Sequence, residues 1–133
     1  MKRLLATLTA CTALTVVSLP ALAATRAQMA QAQQLLGADK SGEALALLES
    51  AHNPVTASVQ EFFLLGLSAK LSDGLGKAEQ YLRSALQGNP NAGRIRLELA
   101  EVLFRQRKLD ESRAQLVAVR NTNPPEQVRQ NVD

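Results

Sequence analysis

His52 is the chain's single histidine, and it is the first residue to question for chemistry. A metal site would need His, Cys or carboxylate partners at clustered spacing, and no such cluster surrounds it. At the end of an expected helix, a histidine is favoured by the dipole there, and that is the role assigned to it. Ser41, Ser58, Ser68 and Ser72 lie in no nucleophile-elbow context, and one histidine cannot serve them all. Gly74–Leu75–Gly76 resembles a fragment of a phosphate loop, but it lacks the remaining glycines, a preceding strand and a following Gly-Lys-Ser/Thr. We read it as a turn. Glu98 and Glu101 share a helical face and are read as solvated rather than as an acid–base pair. Arg94, Arg96, Arg105, Arg107 and Lys108 form the densest basic stretch. Acidic residues interrupt it and no aromatic ladder accompanies it, which argues against nucleic acid. No catalytic constellation, cofactor site or metal site emerges.

The elements that would position any site begin after an export signal. Lys2 and Arg3 precede an uncharged apolar run from Leu4 to Leu19, Pro20 breaks it, and Ala21–Leu22–Ala23 supplies a small-x-small cleavage pattern. Cleavage is expected between Ala23 and Ala24. A lipoprotein reading of Leu8–Thr9–Ala10–Cys11 is set aside because the apolar run continues well past the cysteine. The run is also short for a bilayer crossing of about 20 residues. Processing at Ala23 removes Cys11, the only cysteine, and lowers the formal charge from +3 to +1 by removing Lys2 and Arg3. The high whole-chain pI therefore says little about a nucleic-acid partner. A periplasmic protein of one small domain is expected, and its Ala, Leu and Gln content suits helices.

Apolar and small residues then recur. Phe62, Leu65, Gly66 and Ala69, followed by Ala78, Leu82 and Ala85, have the three-and-four spacing of helix faces, and Pro90 closes the unit. One step of about 34 residues forward gives Leu99, Ala100, Leu103, Leu116, Val119 and Pro124; one step back gives Ala32, Leu35, Ala44, Leu48 and Ala51. Gly66 is expected to face Ala78 across the turn. Asp39, Asp73 and Asp110 are expected to cap second helices, while Gly88–Asn89–Pro90 and Asn123–Pro124 read as helix stops.

This period resembles the tetratricopeptide repeat, a helix–turn–helix unit that buries its apolar face by stacking. The resemblance implies an all-α, right-handed solenoid of three repeats, 25–58, 59–92 and 93–126, with the start of an incomplete capping helix at 127–133. Arg96 and Ser112 in the third repeat, and Gln28, Gln31 and Pro54 in the first, depart from the pattern. The first repeat is read as a polar-faced cap. The family presents the first helix of each repeat on its concave side. Carried over, the partner-binding groove comprises Arg26, Met29 and Gln33; Gln60, Phe63, Leu67 and Lys70; and Arg94, Leu97, Glu101, Phe104 and Arg105. Leu36 and Leu71 share that face but are read as interhelix packing. Phe62 and Phe63 cannot face the same way on one helix, so Phe63 is the informative groove candidate. The family's carboxylate clamp does not transfer: Met29, Gln33, Leu64 and Glu98 occupy its positions, and Arg94 alone keeps the charge.

The string PPEQVRQNV from Pro124 to Val132, the export signal and the repeats together resemble the periplasmic N-terminal region of surface lipoprotein assembly modulators. In that family such repeats precede an outer-membrane barrel, which implies proximity to the outer membrane. The expected function is thus a non-catalytic module binding a peptide or protein partner of the cell envelope. A free-standing periplasmic adaptor or co-chaperone in envelope assembly is the second reading, and a small exported enzyme is the third.

Overall fold

The computed structural model describes residues 23–122, and among these there are six helices and no strand. They are α1 (Arg26–Gly37), α2 (Ser41–Ala51), α3 (Val59–Leu71), α4 (Leu75–Gly88), α5 (Gly93–Arg105) and α6 (Leu109–Asn121). The all-α expectation holds. The signal segment before Ala23, the Asn123–Pro124 stop and the capping helix expected at 127–133 lie outside the described residues.

Side-chain caps start two of the three first helices, while α5 follows Ala92 with none. Thr25 and Gln28 form a capping box at α1: the Thr25 hydroxyl accepts from Gln28 N–H at 3.2 Å, and the Gln28 amide oxygen accepts from Thr25 N–H at 2.9 Å. Ser58 caps α3 by accepting from Glu61 N–H at 3.1 Å. The second helices begin differently. Lys40, Gly74 and Lys108 precede α2, α4 and α6 without any side-chain cap. Their N–H groups instead donate back to Leu35, Ala69 and Leu103 carbonyls at 2.8–2.9 Å, and Asp39, Asp73 and Arg107 just before them hold φ of 59°, 61° and 67°. That is the left-handed helix ending known as the Schellman motif. The expected capping role of Asp39 and Asp73 is therefore corrected: they are the turn's left-handed residues, a conformation Asp tolerates well. Asp110 sits inside the first turn of α6, where its charge suits the dipole.

Two cores hold the stack. Ala24, Ala32, Ala44, Leu48, Leu64 and Leu65 join α1, α2 and α3. Ala69, Ala78, Leu82, Ala85, Leu86, Ile95, Leu99, Val102 and Leu103 join α3, α4 and α5. Small residues set the spacing, with Ala32, Ala44, Ala78 and Ala85 wholly buried. At Gly66 the close neighbour is Leu82 rather than the expected Ala78: a Cβ there would lie 2.7 Å from Leu82 Cγ. The departures in the third repeat are satisfied locally. Ser112 is buried and donates to the Ala100 carbonyl at 2.7 Å, while Arg96 donates to the Pro90 carbonyl and the Gln115 amide oxygen. Leu36 borders the first core, but Leu71 is 56% exposed. The packing expected of Leu71 is absent because α3 ends on that residue and the turn carries the chain away.

Candidate functional site

The first helices meet one another in turn, α1 against α3 and α3 against α5. The second helices are bridged by long polar side chains instead: Lys77 and Tyr81 of α4 reach Glu49 of α2, and Arg83 reaches Glu111 of α6. Closer approach on one side of a stacked array curves it toward that side, so α1, α3 and α5 line the inner face.

On that face Arg26, Gln33, Gln60, Arg94, Glu101 and Arg105 are exposed, and Met29, Phe63, Leu67 and Leu97 are half-buried. Phe104 stands 61% exposed. Phe62 and Phe63 do diverge: Phe62 meets the His52 ring edge-on at 5.2 Å, while the Arg94 guanidinium lies 6.0 Å from the Phe63 ring centre. Lys70 is not a free groove cation. It is buried, and its ammonium donates to Glu98 at 2.5 Å and Glu101 at 2.8 Å on α5. Burial pulls the Lys70 ammonium down, but those two carboxylates outweigh it and hold the group above its ordinary value. The solvated face expected at Glu98 and Glu101 is corrected at Glu98, while Glu101 is exposed as expected. Glu98 is only 12% exposed and also accepts from Arg94 Nε at 3.0 Å. Arg105 is likewise engaged, by Asp73 at 2.8 Å and the Lys70 carbonyl at 3.3 Å. The inner charges are spent largely on tying α3 to α5.

An apolar hollow of about 270 Å³ opens between α5 and α6, lined by Leu97, Ala100, Glu101, Phe104, Ser112 and Leu116. It falls just below the roughly 300–1,000 Å³ of small-molecule sites, a size suited to one or two side chains. Ala100, Ser112 and Leu116 occupy the places that Gly66, Ala78 and Leu82 hold one repeat earlier, where Ala78 and Leu82 are covered by α5.

Sequence reasoning missed the pairing of His52 with Glu61. His52 ends α2 as expected, but its Nδ1 bonds Glu61 at 2.8 Å, and its ring also meets Tyr81 edge-on at 5.7 Å. Glu61 is wholly buried. Of the neighbouring serines, Ser50 donates to the Leu47 carbonyl and Ser58 caps α3, so neither bonds the histidine. The Tyr81 hydroxyl donates to Glu49 at 2.9 Å. Burial, then that hydrogen bond and the Glu49 charge, push its phenol up to about 12. Because Tyr81 is the chain's only tyrosine, ultraviolet titration reads it alone. Its midpoint should fall near 12, and the stability it lends is complete below the ordinary value of 10.0 and lost between there and 12. A midpoint at the ordinary value would dismiss the Tyr81–Glu49 bond.

Among the described residues no three His, Cys, Asp or Glu side chains gather as a metal site would require, and no helix is long and apolar enough to cross a membrane. No curated protein matches the chain. The family model for the tetratricopeptide repeat matches residues 75–130, a span that begins with α4 and takes in α5 and α6.

Proposed function

Given that the chain is a tetratricopeptide repeat protein, we propose that it is a non-catalytic interaction module of the cell envelope, binding a polypeptide segment along α1, α3 and α5. One observation carries this reading: the half-buried row Met29, Phe63, Leu67 and Leu97 continues into the exposed Phe104 and its hollow. Apolar anchors flanked by charge are what an extended or helical peptide buries. The export signal supports a periplasmic setting. The PPEQVRQNV string supports the narrower reading, the repeat region of a surface lipoprotein assembly modulator, over a free-standing adaptor. Genomic sequence downstream of Asp133 separates the two, since amphipathic strands encoded there favour the modulator.

An aromatic anchor commonly contributes at least about 2 kcal/mol, so Phe63→Ala and Phe104→Ala should each weaken partner capture from an envelope extract more than about tenfold. Phe63 borders the second core, so its variant should also melt lower. Phe104→Ala should melt like the parent, which makes it the cleaner probe. Capture unchanged in both variants would remove the inner face as the binding surface.

A further inference from the structure

We infer that Glu61 is the receptor for the mature amino terminus: once the signal segment is removed after Ala23, the α-ammonium of Ala24 becomes the buried counter-charge of the Glu61 carboxylate. Glu61 lies at 0% exposure, with one oxygen 2.8 Å from His52 Nδ1 and the other accepting from the Ala24 N–H at 3.0 Å. In the uncut chain that N–H belongs to a neutral amide. The carboxylate then has a histidine, charged only if protonated, as its partner. Isolated buried carboxylates are costly, and the first turn of α3, where Glu61 sits, offers only the weaker favour of the helix dipole.

Hydrolysis of the Ala23–Ala24 bond by signal peptidase consumes one water. It leaves a carboxylate on Ala23 and an ammonium on Ala24, at the atom already in contact with Glu61. A hydrogen bond from a neutral amide to a carboxylate becomes an ion pair in which donor and acceptor are both charged. The surroundings favour a fixed position. Ala24 is 8% exposed within the first core, and the capping box at Thr25 and Gln28 holds the residue that follows it. The positive end of the α1 dipole opposes a cation there, but that effect is weak beside direct contact with a buried carboxylate. Beyond His52, Tyr81 of α4 packs on the imidazole and is itself held by Glu49 of α2, which Lys77 neutralises. Because Ala24 is buried in the folded chain, cleavage precedes closure of the first repeat. Processing thereby locks the entry to α1 onto α3.

The inference rests on the cleavage expected after Ala23 and is independent of the inner groove. Both cores lie from Ala24 onward, so the chain from Ala24 to Asp133 carries the whole described fold. That chain, with a free amine, is compared with the same chain retaining Ala21–Leu22–Ala23, each with Glu61 and with Glu61→Gln. The free Ala24 form should melt at least about 4 °C above the extended form, and the gap should vanish in Glu61→Gln. Its α-amine should also react with an acylating ester at least about tenfold more slowly than that of a short peptide of the same first residues, as a docked group does. N-terminal sequencing of the exported protein should read Ala24 first. Equal melting of the two forms, a gap that survives Glu61→Gln, peptide-like labelling, or a different mature start would each overturn the assignment.

Discussion

Gly66→Leu should melt well below the parent, by an amount matching at least about 1–3 kcal/mol of overpacking. Even a Cβ at Gly66 would stand 2.7 Å from both Cγ and Cδ2 of Leu82. Leu82 cannot step aside, because it is wholly buried among Ala78, Ala85 and the α5 residues Ile95, Leu99 and Leu103. The remaining three carbons of leucine must then separate α3 from α4, the helix pair that forms the central repeat. For a domain of this size each lost kcal/mol lowers the midpoint by about 4–8 °C. Ala78→Leu should behave similarly, since Ala78 is also wholly buried in that core. Gln87→Leu, on the exposed side of α4, should stay within about 0.5 kcal/mol. Equal melting temperatures for all three variants would mean that the face assigned to the interior is not the interior.

Those positions could be read from sequence because the constraint on them is steric and repeats. A helix pair tolerates only small side chains where its backbones meet, so Ala32, Gly66 and Ala100 announce themselves at one spacing. The turns are also periodic, yet their chemistry is ambiguous in sequence. Asp39 and Asp73 look like caps, because Asp is both a good cap and a good left-handed residue, and only Arg107 in the same place of the third repeat discriminates. Arginine cannot cap a helix N-terminus, so stepping from Asp73 to Arg107 rather than to Asp110 was the available signal. The polar contacts between repeats left no such trace. Glu61 occurs once, its counterparts in the other repeats are not acids, and its partners come from the end of α2 and the entry to α1. Register puts Lys70 on the side of α3 that meets α5, but register is silent about whether a long side chain ends in solvent or on a neighbouring helix.

That last distinction has a measurable consequence. Lys70→Met should lower stability by about 3 kcal/mol, the lower end of what removing one partner from a buried ion pair costs. The lower end applies because the carboxylates left behind are not abandoned: Glu98 keeps Arg94 at 3.0 Å, and the Glu101 side chain is 53% exposed to water. Adding Glu98→Leu to Lys70→Met should restore part of the loss, since an apolar pair in place of a buried ionic one is often neutral or better. The pH dependence follows with a definite sign. Lys70 is held above its ordinary 10.5 in the folded chain, so its contribution is complete below that value and disappears as pH climbs through the folded one. Lys70→Met should therefore lose less stability than the parent across the alkaline range, with the Tyr81 loss common to both. If Lys70→Met instead melted like the parent while partner capture fell, the ammonium would be a groove contact and the tie between α3 and α5 would rest on the packing of Ala69 with Leu99, Val102 and Leu103 and on the Arg105 bond to the Lys70 carbonyl. A fall in melting temperature that Glu98→Leu partly reverses would assign Lys70 to the scaffold, leaving the inner face to bind through Phe63, Leu67, Leu97 and Phe104.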